Sequence, residues 1–327
     1  MMLTLTLKPH HSARRALIRI ICGALNKALS GLVSVNLLLL SLCPVLPAVS
    51  AEPTALSEFW HSSPCECYFT PSEQELRRAK ILFLEIFNGI GDLEAMQAQW
   101  EVLGFDWFSV EVNGERMVIL KEKPSRCEGR GTFMFRTSGG TSDLIQIPHR
   151  FYDKYTGDIG YRLMNQGEFR LTAWNSIHRY TPCLDNGSAS ADLAHTGNNY
   201  FTVLAEAVAL LSADSRIIQI HGFASSKRKT EAGRTSQIIV SDGTRQPSRK
   251  VQVLTSCLRT YFHMRISLFP WDVNELGATT NQIGVKLREY DHQGFMHIEL
   301  SKAARKALLA DTDLMTALLN CISGKRQ

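Results

Sequence analysis

The sequence predicts an α/β protein with three layers, in which a mostly parallel central sheet has helices on both faces and carries an N-terminal α+β elaboration. Three observations predict this class. Segments with strand periodicity alternate with helical segments from about residue 144 onward. Several strands are nearly continuous apolar runs, which is typical of strands that are covered on both faces. Ahead of them, two helices are followed by two strands.

Residues 52–140 form the predicted N-terminal elaboration, and its elements have clear local signals. Ser72 and Glu75 form a capping box in front of an apolar run, and Asp92 is a second candidate helix cap. Asn113-Gly114 is a strong signal for a two-residue β-hairpin turn. The predicted elements are the helices Glu73–Phe87 and Asp92–Gly104 and the strands Phe108–Val112, Arg116–Lys121 and Thr132–Arg136.

Residues 141–327 form the predicted core domain, in which strands and helices alternate. Gly139-Gly140 predicts the turn that leads into its first strand, and Pro247 favours the start of a helix. The predicted strands are 144–148, Arg216–Ile220, Gln237–Val240, Met264–Phe269 and Phe295–Leu300. The predicted helices are Asp158–Asn165, Tyr200–Leu211, Ser248–Tyr261 and Ser301–Ala310.

Residues 1–51 are predicted to be a secretory signal peptide. They hold five basic and no acidic residues, followed by an apolar stretch over 31–46 and by the small-residue cleavage pattern Val49-Ser50-Ala51. A retained membrane anchor is the alternative, but the apolar stretch is short and is interrupted by Asn36 and Pro44. We therefore expect cleavage after Ala51 and a secreted or periplasmic protein.

The charge and cysteine content of the mature chain limit its partners and its compartment. Removal of the five basic residues of the leader reduces Lys plus Arg from 36 to 31, which equals the 31 Asp plus Glu. This neutral chain is not expected to bind nucleic acid, and no further stretch predicts a membrane span. Six cysteines remain after residue 51, and an even number in an exported chain permits disulfides.

Polar residues at the ends of three apolar strands predict a mononuclear zinc site. His149 and His221 each follow a strand, and Glu299 lies near the end of another. The carboxyl ends of parallel strands meet at one sheet edge, so these side chains are expected to lie together. Asp158 is the favoured third ligand and Asp153 the alternative. Glu299 is predicted to act as general base on a zinc-bound water.

Four segments carry a resemblance to a known family. They are Ile147-Pro148-His149, Asn175-Ser176-Ile177-His178-Arg179, Ile218-Gln219-Ile220-His221 and His297-Ile298-Glu299-Leu300-Ser301. Together they resemble the N-formylglutamate amidohydrolase family and, more broadly, the zinc carboxypeptidase and amidase (phosphorylase/hydrolase-like) fold, over roughly residues 144–305. The chain departs from the family after His149, where Arg150-Phe151-Tyr152 replaces the usual Ser-Gly.

The resemblance implies roles for individual residues. It makes His149 and His221 zinc ligands and Glu299 the base, and it makes Asn175 and Arg179 binders of a substrate carboxylate. Apart from the resemblance, Asp192 is expected either to cap the following turn or to be a hydrogen-bond partner of a ligand histidine, and His297 either to neighbour the base or to pack beneath it.

The sequence-based hypothesis is therefore an exported zinc-dependent amidohydrolase or peptidase that cleaves an amide bond near a carboxylate. Its substrate is expected to be a small peptide, peptidoglycan or an N-acyl amino acid. The alternative is a catalytically inactive relative that binds a peptide or glycan in the cell envelope. A third possibility is an envelope protein whose N-terminal elaboration binds a partner.

Overall fold

The computed structural model describes residues 63–89, 91–181 and 190–324, so the predicted signal peptide lies outside the described residues. The helices are α1 Glu73–Asn88, α2 Leu93–Val102, α3 Thr156–Gln166, α4 Tyr200–Leu211, α5 Glu231–Thr235, α6 Arg249–Tyr261, α7 Gln282–Glu289, α8 Lys302–Ala310 and α9 Thr312–Ser323. The strands are β1 Phe105–Val112, β2 Glu115–Glu122, β3 Thr132–Arg136, β4 Thr141–Ile147, β5 Phe169–Trp174, β6 Ile217–Phe223, β7 Ile238–Ser241, β8 Ile266–Leu268 and β9 Phe295–Ser301.

Within the described residues, one sheet of nine strands runs in the order β1-β2-β3-β5-β4-β6-β9-β7-β8. Its centre is parallel, because β4 pairs with β5 and β6, and β6 pairs with β9. The strands β1, β2, β3 and β5 are successively antiparallel, and β7 is antiparallel to β9. The α/β class is confirmed. The sheet is mixed, however, and the expected parallel arrangement holds for its centre.

The N-terminal region continues the core sheet through β3, which pairs with β5. Its local signals act as expected: Ser72 and Glu75 form the capping box of α1, and Asp92 caps α2. Asn113 and Gly114 both have positive φ, at 53° and 79°, which is the conformation that a type I′ turn requires between β1 and β2.

Two apolar layers cover the sheet. On one face, α3, α6, α8 and α9 pack against Ile145, Ile147, Ile218 and Ile298. On the other face, α1, α2, α4 and α7 pack against Leu144, Ile217 and Phe295. Because side chains alternate along a strand, the residues that follow Leu144, Ile217 and Phe295 by two or four positions point to this second face. Gln146, Gln219, His221, His297 and Glu299 therefore share one side of the sheet.

Two disulfides join pairs of described residues and tie distant segments together. Cys65 is bonded to Cys127, and Cys257 of α6 is bonded to Cys321 of α9. Among the described residues, none of the helices has both the length and the apolar character that crossing a membrane requires.

Candidate metal centre and active site

The parallel strands β4, β6 and β9 bring the predicted site residues to one edge of the sheet. His221 and Glu299 are direct partners in the register of β6 and β9. His149 lies two residues beyond the end of β4, in the turn that leads to α3. All three side chains are buried, so their polar atoms must find partners within the protein or in a ligand.

His149, His221 and Asp153 present three possible ligand atoms to one point. The Nδ1 atoms of His149 and His221 are 3.2 Å apart, and Asp153 Oδ2 lies 3.5 Å from the first and 3.9 Å from the second. In a tetrahedral zinc site with bonds of about 2.0–2.2 Å, ligand atoms are about 3.3–3.6 Å apart. The observed distances, 3.2–3.9 Å, lie close to this range, so the group could hold a metal ion of this kind.

Asp153 takes the place for which Asp158 was favoured. The backbone N–H of Asp153 donates to the carbonyl of His149 at 2.8 Å, so the turn brings this carboxylate back toward the histidine. The N–H of Gly222 also donates to Asp153 Oδ2, at 2.9 Å. Asp158, by contrast, is exposed in the first turn of α3 and belongs to neither group of potential ligands among the described residues.

The Nε2 atoms of both imidazoles have hydrogen-bond partners. His149 Nε2 lies 2.9 Å from Asp192 Oδ1, and His221 Nε2 lies 3.2 Å from Gln219 Oε1. Carboxylate and amide oxygens accept hydrogen bonds, so each Nε2 carries the proton and each Nδ1 has a lone pair that could bind a metal. Asp192 thus orients His149, and it also contacts Arg179 and His195.

The pKa shifts of the two histidines run in opposite directions. Burial lowers the pKa of His221 well below its usual value, and the neighbouring His297 and His149 lower it further. Burial also opposes ionisation of His149, but hydrogen bonds to Asp153 and Asp192 outweigh it and raise the pKa. Without a metal, a second proton on His149 Nδ1 would point toward His221 Nδ1 and Asp153. A proton on His149 is therefore held more tightly than on a free imidazole.

Glu299 lies beside this group and differs from the other acids of the site. Burial, reinforced by the charge of Asp153, raises the pKa of Glu299 to about 8. Its Oε1 lies 3.7 Å from His297 Nε2, whereas its buried Oε2 has no hydrogen-bond partner within the described residues. An unpartnered buried oxygen is costly unless a ligand or water binds it. Glu299 is thus free to exchange a proton.

His297 lies two residues before Glu299 on β9, and its side chain is next to that of Glu299. Its Nδ1 is 3.3 Å from Ser241 Oγ, and burial together with the charges of His149 and His195 lowers its pKa to about 3. His297 is therefore neutral near pH 7. Together with His221 and Glu299 it forms a second, overlapping group of potential ligand atoms.

A cavity of about 310 Å³ opens onto these groups. Its lining includes His149, His221, His297, Glu299, Arg179, His195 and residues 276–281. Arg179 reaches the centre, with Nη1 3.2 Å from His149 Nδ1. It also lies over the rings of Tyr152 and Tyr180, at 5.6 and 5.2 Å. This guanidinium is placed to meet an anionic group in the cavity.

Asn175 has a different environment from the one expected of a substrate binder. It is fully buried after β5 and does not belong to the cavity lining. Its Oδ1 accepts a hydrogen bond from the N–H of Arg150 at 2.6 Å, and its Nδ2 donates to the carbonyl of Ile177. Both ends of the amide are thus engaged in holding the loops that carry His149 and Arg179.

Sequence reasoning missed two parts of the cavity wall. His195 lies three residues after Asp192. The turn between them brings His195 Nδ1 to 3.1 Å from Asp192 Oδ1. Residues 276–281 come from a loop far along the chain from His221, and no local pattern indicates their position. The contact between Gln219 and His221, by contrast, could be predicted from the sequence. Residues two positions apart on a strand point to the same face of the sheet.

This chain is similar to solved structures at low sequence identity. No family model matches the chain, and no curated protein matches it. Among solved structures, it is similar to an N-formylglutamate amidohydrolase from Ralstonia eutropha JMP134, at 10% identity and a TM-score of 0.42, over 61% of this chain and 98% of that chain. It is also similar to a candidate metallopeptidase from Shewanella amazonensis SB2B, at 12% identity and a TM-score of 0.33, over 78% of this chain and 98% of that chain. Neither similarity identifies a substrate or a reaction for this chain.

Proposed function

We propose that this chain is an exported zinc-dependent hydrolase that cleaves an amide bond near a carboxylate. Its substrate class is a peptide, peptidoglycan or an N-acyl amino acid. One observation carries the proposal: His149 Nδ1, His221 Nδ1 and Asp153 Oδ2 converge beside a buried, unpartnered oxygen of Glu299. Such an arrangement of buried acceptors favours a bound cation.

His149, Asp153 and His221 are the residues that would hold the zinc ion. Two imidazoles and one carboxylate are a donor set that zinc adopts in catalytic sites. The chemistry supplied by a bound zinc ion is Lewis acidity at the carbonyl oxygen of the scissile amide. The protein prepares these three side chains through Asp192, Gln219 and the Gly222 N–H, which fix their orientations.

Glu299 serves as the general base and then as the general acid. Burial raises the pKa of Glu299 to about 8, so its carboxylate, once ionised beside a bound cation, is a stronger proton acceptor than an ordinary glutamate and can take a proton from a water molecule in the cavity. The same group then returns the proton to the leaving nitrogen. Neutral His297, 3.7 Å away, limits the directions in which Glu299 Oε1 can turn.

Arg179 supports a substrate that carries a carboxylate. Its guanidinium borders the cavity and lies within 3.2 Å of His149 Nδ1, so a carboxylate bound there lies close to the ligand group. Arg179 Nη2 is bonded to Asp192, and the remaining N–H groups of this planar guanidinium are the donors that would bind and orient a substrate carboxylate.

The two disulfides support export. Disulfides persist in oxidising compartments such as the periplasm and are rare in the cytosol. The pairs Cys65–Cys127 and Cys257–Cys321 thus agree with the signal-peptide prediction for residues 1–51.

Two variants test the assignment of base and ligand. Glu299→Gln keeps the shape of the side chain but removes its basic oxygen, so hydrolysis should fall by about two to four orders of magnitude while zinc stays bound. His221→Ala should lose zinc as well as activity, because two ligands hold zinc poorly. The measurements are zinc content and hydrolysis of N-acyl amino acids and short peptides, each with a free and an amidated carboxyl terminus.

The outcomes separate the hypotheses. Zinc loss in Glu299→Gln would make Glu299 a ligand, and full activity in that variant would remove its role as base. Equal rates on free and amidated substrates would contradict the role of Arg179. A folded wild-type protein that binds peptide or glycan but takes up no zinc would instead support the inactive binding relative.

A further inference from the structure

A chain of buried side-chain amides runs from the interior of the sheet to His221. Gln146 of β4 and Gln219 of β6 are register partners on adjacent strands, and Asn281 caps α7. Gln219 Nε2 donates to Gln146 Oε1 at 2.8 Å, and Asn281 Nδ2 donates to Gln219 Oε1 at 2.7 Å. All three residues are buried, so water cannot replace these bonds. We refer to Gln146, Gln219 and Asn281 as the amide relay.

At both ends of the amide relay, the neighbouring backbone groups determine which amide atom donates and which accepts; we call this donor–acceptor order its polarity. At one end, Gln146 Nε2 donates to the carbonyl of Phe201 at 2.8 Å, and a carbonyl can only accept. At the other end, Asn281 Oδ1 accepts from the N–H groups of Ile283 and Gly284 at 3.0 and 3.2 Å, so Nδ2 must face Gln219. Flipping any one amide would set two donors or two acceptors against each other. Each amide therefore has one favourable orientation.

This polarity determines where His221 carries its proton. The oxygen of Gln219 faces both Asn281 Nδ2 and His221 Nε2, at 2.7 and 3.2 Å. An amide oxygen is only an acceptor, so His221 Nε2 must be the protonated nitrogen. The lone pair of Nδ1 is then directed toward His149 Nδ1, 3.2 Å away.

We propose that Gln146, Gln219 and Asn281 are positioning residues that lock His221 in its Nε2–H tautomer and so keep Nδ1 available as a metal ligand. This inference rests on the proposed function for its metal, although the tautomer itself does not. His149 is oriented by the carboxylate of Asp192, whereas His221 is oriented by neutral amides. A neutral partner fixes the imidazole without adding a further negative charge to a site that already holds Asp153 and Glu299.

The tautomer can be measured directly in the metal-free wild-type protein. Nitrogen-15 NMR of histidine-labelled protein distinguishes a protonated ring nitrogen from an unprotonated one. We expect Nε2 of His221 to be protonated and Nδ1 to be unprotonated. A proton on Nδ1 of His221, with Nε2 bare, would overturn the proposal, whether or not the protein binds zinc.

Two substitutions at Asn281 separate polarity from shape. Asn281→Asp keeps the size and the helix cap but replaces the donor with an ionised oxygen, which turns Gln219 around and drives the His221 proton to Nδ1. Asn281→Ser loses the bond but leaves Gln219 oriented by Gln146. Zinc affinity of metal-free protein should therefore fall about 10–100-fold in Asn281→Asp and less in Asn281→Ser.

A purely structural role for Asn281 predicts the opposite order, because Asp is the closer match in shape. If Asn281→Asp binds zinc as tightly as wild type, or more tightly than Asn281→Ser, the amide relay does not act through polarity. Absence of zinc binding in the wild-type protein would instead contradict the proposed function, and the NMR measurement would still decide the tautomer.

Discussion

At the scale of single residues, the proton affinity of Glu299 is the property with the most direct consequence. Burial and the charge of Asp153 raise its pKa from 4.5 to about 8 in the folded protein. The folded state thus holds this proton more tightly than the unfolded chain does. The contribution of Glu299 to the free energy of unfolding is most favourable below pH about 4.5, and it declines as pH rises toward about 8.

The metal-free protein should show this decline. As pH rises from about 4.5 to about 8, the free energy of unfolding of wild type should fall by a few kcal/mol relative to that of Glu299→Gln, because glutamine does not titrate. Urea unfolding of both proteins at several pH values measures the difference. Parallel pH curves would show that Glu299 titrates normally. The comparison requires metal-free protein because a bound cation favours the ionised carboxylate.

The site residues also mark how far the sequence alone can lead. His149, His221 and Glu299 were predictable together, because each ends an apolar strand and parallel strand ends meet at one edge. The choice between Asp153 and Asp158 was not, since it depends on the turn that returns the Asp153 N–H to the His149 carbonyl. Tyr155, with φ of 76°, lies in that turn and gives no sequence signal of a left-handed conformation.

At the scale of secondary structure, helix-capping and turn signals predicted their elements correctly, whereas a weak apolar periodicity did not. The capping box of Ser72 and the hairpin turn at Asn113-Gly114 specify their elements through local hydrogen bonds and backbone conformation. Strand β5 was missed because Arg170 and Thr172 interrupt its apolar pattern, although both are buried. Its absence from the prediction also hid the position of Asn175, which follows directly after β5.

The disulfide between α6 and α9 offers a prediction at this scale. Cys257 and Cys321 are separated by 64 residues, and closing a loop of this length is expected to stabilise a protein by about 4 kcal/mol. The double variant Cys257→Ser/Cys321→Ser should lower the free energy of unfolding by about this amount, mainly because its unfolded chain has more conformational freedom. Urea unfolding measures the change, and zinc content serves as the control that the distant site is intact.

A double variant as stable as wild type would mean that the bond is absent or unimportant in the mature protein. Loss of zinc together with stability would show instead that α6 and α9 affect the site. Neither helix contributes a residue to the cavity lining, so we expect zinc content to stay the same.

At the scale of the whole molecule, the sheet links the site to both apolar layers. One face of β4, β6 and β9 carries isoleucines into the layer of α3, α6, α8 and α9. The opposite face begins with apolar residues and ends with the amide relay and the candidate ligands. A polar stripe of this kind is tolerated because the amides and His221 satisfy one another, and the parallel register keeps them in contact.

The last prediction concerns the compartment in which the protein is found. The basic leader, its apolar stretch and the Val49-Ser50-Ala51 pattern favour removal of residues 1–51, and the two disulfides favour an oxidising environment. Full-length protein expressed with its own leader should therefore appear in the envelope fraction with a mature chain that starts near Glu52. Intact-mass spectrometry, with and without reduction, measures both the start of the chain and the number of disulfides.

Replacing Ala51 by a large residue, as in Ala51→Trp, should block cleavage and leave the longer chain attached to the membrane. A wild-type chain that still carries residues 1–51 in the envelope would favour the retained anchor, and a fully reduced chain in the cytosol would contradict export.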